Sequence, residues 1–299
     1  MAVLRDLLAT MRPRQWIKNL LVFAGIFYAG KLRDFDALLK VTGAFLLFCA
    51  LSGVIYIVND IFDLEQDRHH PTKQLRPIAA GRLSLPIAWS FAGVVGLLAL
   101  VLSFFISVRF GGCALVYVTL TGAYSLGLKH VVILDLLILA IGFVLRAYAG
   151  TQAIQVETTP WFLSCILFLA LFITICKRRH ELLLLNDRAY HHRAVLREYS
   201  TAFLDQMVSA STSAALLSYA LWAVMQPKPE FHGMILTVPF VVYGIFRYLY
   251  LVYHRSEGGA PEVMFLTDRS LLINILLWIL AVMILIYQHD LVKWLPLAR

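Results

Sequence analysis

Long apolar stretches separated by short polar ones set the pattern of this chain, and the stretches are too long for the core helices of a soluble domain. Runs of about 17–23 residues, each able to cross roughly 30 Å of hydrocarbon as a helix, fall near 15–31, 38–58, 86–107, 111–128, 131–150, 160–176, 202–225, 234–253 and 271–289. They predict an all-α integral membrane protein of about nine transmembrane helices, with residues 1–299 forming one domain. The first run follows Arg12 and Arg14, with Lys18 at its start, begins far from the N-terminus for a signal peptide and has no convincing cleavage site after it. A retained first span is expected.

Composition agrees: 60% of residues are hydrophobic and only 15% charged, and the mean hydropathy is +0.76. Cys49, Cys113, Cys165 and Cys176 sit in or at the end of apolar runs without metal-type spacing and read as small hydrophobes.

The net charge of +8 is unevenly distributed and predicts the topology. Basic residues gather before span one, between spans two and three (Arg68, Lys73, Arg76, Arg82) and between spans four and five (Lys129). They gather again after span six (Lys177, Arg178, Arg179, Arg188, Arg193, Arg197) and after span eight (Arg255, Arg269). The alternate loops hold only Lys31 and Arg33, then Arg109, then Lys228. By the positive-inside rule the N-terminus and basic loops face the cytoplasm, and nine spans leave the C-terminus outside. Inner-leaflet attraction accounts for the basic pI, so no nucleic-acid partner is expected. The expected location is the cell (inner) membrane.

Against this apolar background the stretch Asn59 to Asp67 stands out, with four carboxylates directly after span two. On a continuous helix Asp60, Asp63 and Asp67 fall within an arc of roughly 60°, and Glu65 points away. No Lys or Arg lies three or four positions off on that face, so the like charges need another source of compensation. A hard divalent cation bridging to a phosphate is the natural partner, and a solvated acidic loop is the simpler alternative.

The loop that follows carries Lys73 and Arg76 between Pro71 and Pro77, which argue against a continuous helix. His69 and His70 lack ligand spacing and read as loop residues. Arg14 and Lys18, four apart beside Trp16, are either an inner-leaflet collar or part of an anion site. Tyr124 and Lys129 stand where a membrane-edge anchor or a phosphate ligand would stand. Asp135 and Arg146 are ionisable groups inside span five, but eleven residues of helix separate them by roughly 16 Å, so they do not pair with each other. Lys177, Arg178 and Glu181 have ordinary helical ion-pair spacing and could equally supply a second anion-binding lobe. The loop beyond them holds His191 and His192, and Glu257, Glu262 and Asp268 lie in a later loop with no evident role. No Walker-type loop, dinucleotide fingerprint or serine nucleophile elbow is present.

Asn59-Asp60-x-x-Asp63-x-x-x-Asp67 at the cytoplasmic end of span two resembles the first Asp-rich motif of the UbiA superfamily of intramembrane prenyltransferases. Arg12-Pro13-Arg14-Gln15-Trp16-x-Lys18-Asn19, Asp67-Arg68-x-His70-Pro71-Thr72-Lys73, Arg76-Pro77-Ile78-Ala79-Ala80-Gly81 and Gly127-Leu128-Lys129-His130 resemble its decaprenyl-phosphate phosphoribosyltransferase branch. Two departures matter. The position of the second Asp-rich motif reads Lys177-Arg178-Arg179-His180-Glu181, and Tyr124 and Lys129 are one residue further apart than the Tyr-x-x-x-Lys of many members.

The resemblance implies a UbiA-like helical bundle with a cytoplasm-facing active-site cleft. It also implies an Mg²⁺-dependent pentosyltransferase, with Mn²⁺ as the alternative ion, serving cell-wall biosynthesis. Its substrates would be phosphoribosyl pyrophosphate and a polyprenyl phosphate lipid. Asp60, Asp63 and Asp67 are then the metal ligands and, with Lys129, the catalytic set. Arg14, Lys18, Asn59, Lys73, Arg76, Tyr124, Lys177 and Arg178 are the substrate-binding set. Ordinary prenyl transfer from a prenyl diphosphate to an aromatic acceptor is the alternative. Superfamily relatives imply a homo-oligomer, which no residue here specifies.

Overall fold

The computed structural model describes residues 2–70, 72–185, 194–225, 233–255 and 258–294. Pro71, Arg188, His191, His192, Arg193, Lys228 and Glu257, used in the readings above, lie outside them.

All regular structure among the described residues is helical. The α-helices are α1 (Ala2–Thr10), α2 (Ala24–Ala29), α3 (Phe35–Phe62), α4 (Leu64–Arg68), α5 (Leu85–Ile106), α6 (Val108–Leu126), α7 (Leu134–Ala153) and α8 (Pro160–Leu185), then α9 (Thr201–Val224), α10 (Val238–His254), α11 (Pro261–Thr267) and α12 (Arg269–Trp294). Sequence signals start several of them. Asp34, Ser107 and Ser200 cap α3, α6 and α9 by accepting the backbone N–H of Ala37, Phe110 and Phe203. Proline opens α5, α10 and α11, where its missing N–H costs nothing.

Seven of the described helices are long and apolar enough to cross a membrane, and the chain is a multi-pass membrane protein. The other two expected spans are helical but weaker. Residues 13–29 form a 3₁₀ segment, Pro13–Phe23, followed by the short α2, and α6 falls outside the seven. Large apolar side chains such as Phe105, 81% exposed, point outward, as lipid-facing residues do.

The chain divides into two compact units, residues 1–129 with 141–157, and 130–140 with 158–299. In the first unit Val22, Ile26, Val41, Phe48, Leu51, Phe110 and Tyr117 build the main core, and Leu7 and Met11 of the N-terminal part pack with Ile57, Ile78, Leu83 and Ala88. Two glycines permit its closest crossings: a Cβ on Gly150 would collide with the Val22 carbonyl, and one on Gly53 would lie 2.5 Å from Met11. In the second unit Leu136, Phe172, Ile175, Leu204, Tyr248 and Leu251 form the core.

Candidate active site

In the first unit α3 carries Asp60 on its buried face and ends at Phe62. Asp63 forms the junction, its N–H bonded to Asn59 O at 2.9 Å, and α4 then brings Asp67 inward. The expected single helical face is therefore broken: Asp60 and Asp67 are buried, whereas the Asp63 side chain is 30% exposed. Asp63, with φ −90° and ψ 8°, departs from helical geometry at the junction of α3 and α4.

The missing compensation comes from residues distant in sequence. Arg76 Nη1 lies 3.1 Å from Asp60 Oδ1 and 2.5 Å from Asp67 Oδ2, Arg12 Nη2 donates to Asp60 Oδ1, and Lys73 Nζ stands 4.0 Å from Asp67. Asp63 pairs with Lys129 Nζ at 2.9 Å. The compensation expected from beyond helical spacing is supplied by four basic side chains of the chain itself, three at Asp60 and Asp67 and one at Asp63. Spacing along one helix could not reveal partners that lie 16, 48 or 66 positions away.

Local chemistry shapes the loop that delivers these bases. His70 Nδ1 accepts the backbone N–H of Thr72 at 3.2 Å and of Lys73 at 3.3 Å, which pins the 3₁₀ turn Lys73–Leu75. Arg76 is extended, as a residue before proline must be. His70 is thus an organiser of the loop. Of the remaining expected residues in this unit, Arg14 is exposed, and Lys18, Asn59 and Tyr124 are half-buried.

Deeper in the same unit Arg146 sits on α7, buried. Its Nε donates to Asn19 Oδ1 at 2.7 Å, Nη1 to Gly142 O at 2.9 Å and Nη2 to the Tyr117 hydroxyl at 2.8 Å. Asn19 in turn donates to Ser52 Oγ at 3.1 Å. An arginine in a spanning helix is expensive without such acceptors, and here two come from other elements and one from its own helix. The hub fixes the Pro13–Phe23 segment to α3, α6 and α7.

In the second unit Asp135 and Arg178 find each other. Arg178 Nη2 is 2.7 Å from Asp135 Oδ2 and Nη1 is 2.6 Å from Glu181, with Arg178 only 3% exposed. The Tyr199 hydroxyl donates to Asp135 Oδ1 at 2.7 Å and accepts the Ile133 N–H at 2.8 Å. Burial and the bond to Asp135 push the Tyr199 phenol far above its ordinary pKa. Arg178, expected as a phosphate ligand, is instead committed to a buried ion pair, because Asp135 would otherwise be left without a counter-charge. Lys177 beside it is half-buried. Arg179 bonds Asp205 at 2.6 Å and lies over the Tyr253 ring. Tyr199 and Asp205 were not singled out from sequence, since neither has a partner within a helical turn.

Asp60 and Asp67 suit a divalent cation. Two hard-oxygen donors converge on one positive centre, the Arg76 nitrogen. No three His, Cys, Asp or Glu side chains gather to hold a metal among the described residues. Asp60 and Asp67 are the two carboxylates that would hold such an ion.

The profile of the UbiA prenyltransferase family matches residues 20–268. The chain belongs to the UbiA prenyltransferase family. Among its UbiA relatives, the decaprenyl-phosphate phosphoribosyltransferase of Mycolicibacterium smegmatis is 36% identical over 287 residues, covering 91% of this chain and 90% of the relative. That of Corynebacterium glutamicum is 35% identical over 292 residues, covering 94% and 86%. A UbiA homolog from Archaeoglobus fulgidus bound to GPP and Mg²⁺ shares the UbiA fold, with a TM-score of 0.72 and 19% identity over 94% of this chain and 99% of that one. The same homolog is also known bound to Cd²⁺.

Proposed function

We propose that this UbiA protein is a polyprenyl-phosphate phosphoribosyltransferase acting at the cytoplasmic face of the cell membrane. It would transfer 5-phosphoribosyl from phosphoribosyl pyrophosphate to decaprenyl phosphate or a similar lipid. The observation that carries the reading is the mixed site around Asp60 and Asp67, where two buried carboxylates lie within ion-pair distance of the basic Arg76 and Lys73, and the neighbouring Asp63 pairs with Lys129. Relatives of that name, similar over about nine-tenths of the chain, support it.

In the reaction an oxygen of the lipid phosphate forms a bond to C1 of the ribose as the bond from C1 to pyrophosphate breaks, with inversion. Mg²⁺, or Mn²⁺ in its place, held by Asp60 and Asp67, would supply neutralisation of charge on the departing pyrophosphate. Arg76 and Lys73, with Arg14 and Lys18, bind donor phosphates, because guanidinium and ammonium groups match anionic oxygens. Asn59 supports the Asp63 junction through its carbonyl. Lys129, aimed by Asp63, orients the acceptor phosphate together with Tyr124. That acceptor is already ionised, so positioning contributes more than a general base would.

The test is to incubate purified protein with Mg²⁺, labelled phosphoribosyl pyrophosphate and polyprenyl phosphates of several lengths. A labelled lipid and free pyrophosphate are expected. Formation of a prenylated hydroxybenzoate from prenyl diphosphate, with no labelled lipid, would replace this reading by ordinary prenyl transfer.

A further inference from the structure

We infer that Arg12 and Arg76 are resident counter-ions of the carboxylate pair, exchanging from Asp60 and Asp67 onto pyrophosphate when the donor binds, so that a divalent cation is held well only together with pyrophosphate. The inference rests on the proposed role of Asp60 and Asp67 as metal-holding carboxylates. It adds Arg12 to the site and assigns both arginines a second task.

Three observations carry it. The first is a matter of charge. Asp60 and Asp67 are each 2% exposed and would be two uncompensated buried anions, yet Arg76 Nη1 touches both and Arg12 Nη2 touches Asp60. Two negative charges are met by two guanidiniums, and Lys73 adds a third cation at 4.0 Å. A bare dication entering this arrangement meets carboxylates already neutralised and cationic groups that repel it. An anion that draws the guanidiniums away removes both obstacles.

The second observation is geometric. Arg76 Nη1 occupies the point on which both carboxylates converge, so the guanidinium and a shared cation compete for one position. The third concerns reach. Both arginines are partly accessible, 30% and 26% by side chain, while the carboxylates they hold are not. Arg12 also has left-handed backbone angles, φ 52° and ψ 66°, one of three non-glycine residues with positive φ among the described residues. A non-glycine residue holds that conformation only where its surroundings demand it. Here it lies between α1 and the Pro13–Phe23 segment, and its guanidinium rests over the Tyr56 ring at 4.9 Å. The ring offers a cationic arm a second support when it leaves the carboxylate. Guanidiniums suit the exchange, since carboxylate and phosphate oxygens accept the same paired N–H donors.

The experiment uses the full chain in detergent. Binding of Mn²⁺ alone is followed by the loss of the free-ion paramagnetic resonance signal, and retention of labelled pyrophosphate by equilibrium dialysis at fixed Mn²⁺. Wild type is expected to bind Mn²⁺ alone weakly and to retain pyrophosphate only when Mn²⁺ is present. Arg76→Gln should bind Mn²⁺ alone about tenfold more tightly, within the roughly 5–150-fold range of linked binding, and retain pyrophosphate less well. Arg12→Gln should shift both in the same directions, Arg76→Lys should keep the weak wild-type Mn²⁺ affinity, and Asp60→Asn added to Arg76→Gln should abolish the gain. Simple damage to the site would weaken both ligands together. Unchanged or weaker Mn²⁺ binding in both Gln variants overturns the inference and leaves the proposed function standing. Absence of Mn²⁺-dependent pyrophosphate retention by wild type overturns both.

Discussion

Replacing Asp135 by Leu tests whether Arg178 is a structural ion-pair partner or a substrate ligand. In the native chain Asp135 is fully buried and Arg178 is 3% exposed, with their oxygen and nitrogen 2.7 Å apart. Removing one member leaves the other charged, buried and short of its partner, which costs about 3–5 kcal/mol. At about 2–4 °C per kcal/mol, the unfolding midpoint should fall on the order of 10 °C. Arg178→Met should have a loss of similar size. The double variant Asp135→Leu/Arg178→Met removes both charges, and a buried ion pair exchanged for apolar side chains is close to neutral. What remains is the half-exposed Glu181 without its Arg178 bond, and the Tyr199 hydroxyl deprived of its acceptor at a cost of about 1–3 kcal/mol. The double variant should therefore be more stable than either single one. The four cysteines, three buried and one half-buried, allow unfolding to be followed with a thiol-reactive fluorogenic dye. A double variant less stable than both singles would refute the reasoning about the pair. A double variant that regains stability and not turnover would return Arg178 to the substrate.

Other outcomes follow from the same geometry. Asp60→Ala and Asp63→Ala should each lower lipid labelling by about 100-fold or more with an unchanged elution profile, and near-wild-type turnover in either would remove that carboxylate from the site. Arg146→Lys should cost about 2–3 kcal/mol, because a single ammonium cannot serve Asn19, Tyr117 and the Gly142 carbonyl in the fork geometry of a guanidinium, and an unshifted unfolding midpoint would contradict this. Asp268 accepts two bonds from Arg247, at 3.1 and 2.7 Å, and these hold its carboxyl below the usual range. A depressed folded pKa stabilises above the unfolded value of about 3.9 and is lost as pH falls through the folded one, so Asp268→Asn should flatten the decline of the unfolding midpoint below about pH 4.

Much of this molecule was legible from its order of residues. Apolar runs of membrane-crossing length announced the helical bundle because in hydrocarbon every backbone donor and acceptor must be satisfied within the segment. The aspartates after span two and the bases around Lys73, Arg76 and Lys129 are joined in ion pairs, and the family resemblance in those stretches agreed with the profile match over residues 20–268. The weakness of residues 13–29 and 108–126 as spans was less visible, since hydropathy averages over a window and does not register a 3₁₀ segment that crosses a neighbour through Gly150.

Pairing was decided only by the tertiary structure. The carboxylate face read as uncompensated because helical spacing reports neighbours three or four residues away, whereas Arg12 and Arg76 arrive from 48 and 16 residues off. Asp135 and Arg146 were correctly kept apart by their helical distance, yet nothing in one dimension could say that Arg178 would take the first and Asn19 the second. Hydrophobic periodicity fixes which segments cross a membrane, since that depends on length and local composition. Which charge answers which depends on chain crossings, and these exist only once the helices have packed.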